Sequence, residues 1–226
     1  MKGRIFKQKA LKLLRSENLD VALKKLSGMP LRQVINPLFS FLYNTDDQIK
    51  WRAVTAMGGI VARLADEDME AARVIMRRLM WNLNDESGGI GWGSPEAMGE
   101  ILACHGALAE EYASILISYA RKDGNYLEYE MLQRGLLWGI ARLSQVRPHL
   151  VQDAVAHIVP YLESKDVTVR GISAIIMGLL QVREARSALE ALVDDDGLFY
   201  FYHDRKLIRR CVKEVAREAL EKRSMI

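Results

Sequence analysis

The sequence predicts an all-α protein, a right-handed α-α superhelix of about five stacked helical hairpins behind an N-terminal helical cap. Three observations lead there. A short apolar-apolar-glycine signature recurs as Ala56-Met57-Gly58, Ala97-Met98-Gly99, Leu137-Trp138-Gly139 and Ile176-Met177-Gly178, with glycines 41, 40 and 39 residues apart. Apolar runs ending at Leu42, Leu83 and Leu162 stand 16 residues before three of those glycines. Polar turns, such as Asn44-Thr45-Asp46-Asp47 and Glu163-Ser164-Lys165-Asp166, separate run from signature. Each unit therefore reads as two amphipathic helices that cannot cover their own apolar faces, so neighbouring units must stack and share a core.

Taken in order, residues 1–29 read as two short helices, around FKQKALKLL and VALKKL, ending at Ser27-Gly28-Met29-Pro30. They lack the signature and are expected to cap one continuous array over residues 30–226. The first unit places Asp46, Ile49 and Lys50 ahead of Ala53, Ala56, Met57 and Gly58. In the second and third units Gly91 and Met131 occupy the basic slot, which predicts irregular turns there. The fourth repeats the pattern at Asp166, Val169, Arg170, Met177 and Gly178. A fifth has Ile208, Arg209 and Val215-Ala216-Arg217, and carries the insertion DDDGLFYFYHDRK over residues 194–206.

The motifs of the first and fourth units resemble the HEAT repeat family, especially the short repeats of phycobilisome lyases. The resemblance spans roughly residues 30–220 and implies a solenoid fold. It implies little chemistry, because such folds host many functions.

Composition narrows the function classes. The chain has 226 residues, 27% charged and 50% hydrophobic, with two isolated cysteines. No window approaches the roughly 18 consecutive apolar residues of a membrane span. Neither a disulfide framework nor a secretory signal is evident, so the expected home is the cytoplasm. Charge is uneven. Residues 1–26 carry eight bases against two acids and residues 205–226 eight against three, leaving 16 bases and 24 acids between them. An acidic middle makes nucleic acid an unlikely partner and favours a protein or peptide with a basic patch.

The most unusual segment runs from Trp81 to Leu102, where Gly88, Gly89, Gly91 and Gly93 surround Trp92. It matches no phosphate loop, nucleophile elbow or dinucleotide fingerprint. Ser94 and Pro95 read as N-cap and first position of the next helix. The loop, with Asp85 and Glu86, is either a tight structural turn or a ligand site. Glu96 and Glu100 lie one helical turn apart, as an acid pair able to face a partner or simply the solvent. Trp138 fills the slot of Met57, Met98 and Met177 and is expected in the core. Arg134 has two readings: a buried guanidinium paired with Glu130 or Glu96, or the ordinary arginine of the repeat bonded to a turn. Four scattered histidines signal no metal site, and no cofactor is expected. Four successive aromatics, Phe199 to Tyr202, cannot all face one core, so Tyr200 and Tyr202 are contact candidates or an edge cover.

The leading expectation is a non-enzymatic interaction scaffold with a concave acidic surface centred on Trp92, Glu96, Glu100, Glu130 and Arg134. Alternatives are nucleic-acid processing of the DNA-alkylation-repair glycosylase type and a chromophore or cofactor lyase or chaperone subunit.

Overall fold

A computed structural model describes residues 2–84 and 91–221. The fold is an all-α helical array that packs as two compact units, Met1–Leu108 and Ala109–Ile226. Among the described residues no helix is long and apolar enough to cross a membrane.

The first unit contains α1 (Lys2–Leu14), α2 (Leu19–Ser27), α3 (Leu31–Leu42), α4 (Asp47–Glu67), α5 (Met69–Leu83), α6 (Ser94–Cys104) and the start of α7 (Gly106–Ser118). Asp46 N-caps α4, its Oδ1 accepting from the N–H groups of Gln48 and Ile49. Asp68 does the same for α5, and Asn18 for α2. These caps satisfy donors that a helix start leaves open, which is why a polar turn can stop one helix and start the next within a few residues. Ile49, Met57, Ile60, Met76, Leu79, Met98 and Ile101 are almost fully buried, each contributing about 1.5–3 kcal/mol. Arg52 ties α1 to α4 by donating to the carbonyls of Leu14 and Ser16 at 2.7 and 2.6 Å. Arg63 donates to Ser27 at 2.7 Å and ties α2 to the same helix.

The second unit contains the rest of α7, then α8 (Glu130–Val146), α9 (Val155–Ile158), α10 (Val167–Leu180), α11 (Arg186–Glu190), strands β1 (Leu198–His203) and β2 (Lys206–Cys211), and α12 (Val212–Glu221). Two expectations change here. The first helix of the fourth unit, expected from the apolar run ending at Leu162, is replaced over residues 148–163 by a chain of 3-10 turns around the single turn α9. Pro148 and Pro160 withhold N–H groups and break the longer ladder. The insertion is an antiparallel hairpin, with Phe199 opposite Arg210 and Tyr200 opposite Arg209. Its tight turn uses Asp204 and Arg205 at φ 46° and 64°, a left-handed pair for which Asn-Gly or Asp-Gly is the usual sequence signal.

The recurring glycine has a packing cause. A Cβ on Gly58 of α4 would lie 2.5 Å from Glu100 Cγ and 3.2 Å from Cys104 Sγ on α6. A Cβ on Gly178 of α10 would lie 2.9 Å from the Cβ and 3.0 Å from the Cα of Ala219 on α12. In each case the glycine is where the second helix of one hairpin meets the second helix of the next. Gly59, one residue on, is exposed with nothing within 4 Å of an added Cβ. Gly178→Ala should therefore cost about 1–3 kcal/mol by forcing α10 and α12 apart, whereas Gly59→Ala should be neutral or stabilise by up to about 1 kcal/mol. Urea unfolding of both variants checks the contrast; equal midpoints would remove the glycine from the packing argument.

Candidate functional site

Of the predicted surface, Trp92, Glu96 and Glu100 belong to the first unit, and Glu130 and Arg134 to the second. The first three diverge. Trp92, in the turn before α6, keeps 40% of its surface exposed. Glu96 and Glu100 are only 3% and 8% exposed, which corrects the expectation of an open acid pair: every residue of α6 from Ser94 to Ala103 is buried. Glu96 meets Lys50 Nζ at 2.7 Å. Lys50 also lies 5.1 Å from the Trp51 ring centroid. Glu96 is thus neutralised inside the first unit, where an unpaired carboxylate would be costly. Glu100 fills the space left by Gly58 and accepts from Cys104 Sγ at 3.8 Å.

The described end of the glycine-rich loop is structural. Gly93 has φ 77°, and a Cβ there would run into the backbone of Leu42 at the end of α3. Only glycine accepts both conditions. It is Gly93 that stands at the N-cap of α6; Ser94 is its first residue and Pro95 follows. Gly91 is buried and its carbonyl accepts from Ser94 N. Asp85 and Glu86 lie outside the described residues.

In the second unit Glu130 is exposed at the start of α8. Arg134 is not buried, and its partner is neither Glu130 nor Glu96. Nε and Nη2 donate to Asp166 Oδ2 at 2.9 and 2.5 Å, with 40% of the arginine side chain exposed against 5% of the aspartate's. Asp166 divides its oxygens, because Oδ1 caps α10 by accepting from Thr168 and Val169 at 2.9 and 3.0 Å. Asp195 repeats the device: Oδ1 accepts from Gly197 N at 2.8 Å and Oδ2 from Arg170 Nε at 2.9 Å. Arg170 also donates to the Ser164 carbonyl at 2.7 Å. These arginines join successive turns. Tyr200 is 65% exposed, whereas Tyr202 is 7% exposed and covers Trp138, whose Nε1 donates to the Tyr202 carbonyl at 2.8 Å.

The sequence did not reveal a cleft of about 460 Å³ in the second unit, bounded by Asp123, Tyr126, Gln133, His157, Pro160 and Tyr161. Gln133 Nε2 donates to the Leu127 carbonyl at 2.8 Å and to the Tyr126 hydroxyl at 3.2 Å, and Tyr161 donates to the Ala120 carbonyl at 3.1 Å. Burial, with the nearby Tyr126 hydroxyl, pushes the Tyr161 phenol well above its usual range. Hydrogen bonds from Arg121 hold Asp123 down to about 2. Beside the cleft the chain exposes Glu128, Tyr129, Glu130 and Met131, with Tyr129 at 53% and Met131 at 44%. Neither glutamate side chain has an ion-pair partner among the described residues. The only sequence sign of this strip was the loss of the basic slot at Met131.

Comparison with known proteins bears on the fold. No family model matches the chain. An uncharacterized protein of Archaeoglobus fulgidus is 22% identical over 188 residues, covering 81% of this chain and 94% of its own length. An engineered protein of known crystal structure superposes with a TM-score of 0.55 at 15% identity, covering 97% of this chain and 96% of that one. A designed armadillo repeat protein in complex with the peptide (KR)4 superposes with a TM-score of 0.54 at 18% identity, covering 96% and 99%. The fold is a helical repeat solenoid. Among the described residues no group of three or more His, Cys, Asp or Glu side chains is arranged to hold a metal ion.

Asp166 makes one property measurable. Burial raises its pKa, but Arg134 and the N–H groups of Val169 and Thr168 outweigh that, so it is held below the usual carboxylate range. A carboxyl depressed on folding adds stability above the ordinary range and loses it as pH falls through the folded value. Asp166→Asn should cost about 1–2 kcal/mol at pH 7 and show a smaller loss than wild type as pH drops below about 4. Urea titrations at several pH values test this; parallel wild-type and variant curves would contradict it.

Proposed function

We propose that the chain is a non-enzymatic interaction scaffold that holds a basic peptide segment of a partner protein on the second unit, along Tyr126, Glu128, Tyr129, Glu130 and Met131. The observation that carries the reading is the exposed run of acids and aromatics that follows Tyr126 of the cleft. Glu128 and Glu130 offer uncompensated carboxylates, and the tyrosine rings offer faces for the stems and heads of lysine or arginine. Arg134 orders the strip by bonding its helix to the next turn, and so acts as a positioning residue. Trp92 is a separate contact candidate on the first unit.

Two things support a peptide ligand. Gln133 holds the segment ahead of α8 by bonding Leu127 and Tyr126, which lowers the ordering cost of binding, and one structural neighbour is a designed repeat protein in complex with (KR)4. Within the helical repeat class the units read as the short HEAT type, with residues 1–29 as a cap and 30–226 as the array.

A fluorescein-labelled (Lys-Arg)4 peptide tests the proposal by anisotropy. It should bind, weaken as salt rises from about 50 to about 200 mM, and bind about five- to tenfold more weakly to the double variant Glu128→Lys, Glu130→Lys. Absence of binding, or unchanged affinity in the folded variant, would overturn it, as would preferential retention of duplex DNA.

A further inference from the structure

The β1–β2 hairpin covers the core with one part of its surface and leaves another open. Phe199 and Phe201 are 3% and 5% exposed, and the Phe199 ring occupies the space over Gly171 of α10. On the opposite face Tyr202 covers Trp138, while Leu198 and Tyr200 remain 48% and 65% exposed. Arg209, directly across from Tyr200 and so on the same face, is exposed, whereas Lys206 pairs with His203 and stands on the other face.

The backbone along β1 is also open. A two-residue turn makes His203 and Lys206 the closing hydrogen-bonded pair, so bonded pairs recur at Phe201–Ile208 and Phe199–Arg210. Leu198, Tyr200 and Tyr202 then turn their N–H and C=O groups outward. The Tyr202 carbonyl is taken by Trp138 Nε1, as that alternation requires. Leu198 and Tyr200 have no other hydrogen bond among the described residues. An edge with unpaired backbone groups and exposed apolar side chains is a template for another strand.

We propose that the outer edge of β1 takes an extended, acidic segment of a partner protein as a third strand. The unpaired groups of Leu198 and Tyr200 would supply the ladder, the Tyr200 ring and Leu198 the apolar contact, and Arg209 the charge selection. Arg209 has no ion-pair partner among the described residues, whereas the neighbouring Arg210 is already held by Glu218 at 2.7 Å. Charge disfavours a second copy of this chain, because edge-to-edge pairing would bring two copies of Arg209 together. A nucleic acid would leave the strand's alternating donors and acceptors unmatched. The surface differs in place and sign from the acidic strip, so either proposal can fail alone.

The test uses an end-capped, fluorescein-labelled (Glu-Val)4 peptide with the full chain. It should bind with an affinity of about micromolar order. (Lys-Val)4 should bind at least about tenfold more weakly, because its charge is wrong, and so should (Glu-Pro)4, which has the same charge but cannot extend a ladder. Tyr200→Ala and Arg209→Glu should each weaken (Glu-Val)4 about tenfold while circular dichroism and the thermal midpoint stay unchanged. Equal binding of (Glu-Pro)4, or no effect of Arg209→Glu, would overturn the proposal. So would tighter, competitive binding of oligothymidylate, or Tyr200-dependent dimerisation in light scattering.

Discussion

The close approach of successive second helices is the constraint on which the packing within each unit depends. At Gly58 and Gly178 the facing helix sits where a side chain would otherwise be. Interiors are packed too densely to absorb even one extra methyl group without movement. A glycine at that point brings two helix backbones together and fixes which turns face each other. The pairing of Lys50 with Glu96 follows from that register in the first unit, as the joining of Arg170 to Asp195 does in the second.

Charge inside the units is handled by pairing. Glu96 has Lys50, and Asp166 and Asp195 each give one oxygen to backbone N–H groups and the other to an arginine. One aspartate thus ends a turn, starts a helix or loop and joins two hairpins. Glu128 and Glu130, exposed and without an ion-pair partner among the described residues, stand where the repeat pattern lapses and α8 follows a long run of turns. Arg209, exposed and without an ion-pair partner among the described residues, stands on the hairpin inserted in the fifth unit. Departures from the repeat are where side chains are released from packing and left available to a partner.

Part of the fold was legible in the text: the helical period, the glycine slot and the core placement of Trp138. The helical period depends on residues within a few turns of one another, and the other two on one slot recurring in successive repeats. The hairpin was not legible, because its turn uses Asp204-Arg205 in a conformation normally signalled by glycine, and its aromatics read as an irregular loop. The breakdown of the helix over residues 148–163 was signalled only by its two prolines.

What the sequence determined by itself is the class of fold and the period of its repeats, because both arise from local hydrogen bonding and apolar spacing. Tertiary structure alone decided which charged side chains face water. Glu96 and Glu100 are spaced like any solvated helical pair, yet α6 is buried over residues 94–103, packed against α4 and α5, while Glu130, equally ordinary in spacing, stands open. Burial is set by neighbours dozens of residues away, and one-dimensional spacing does not record them.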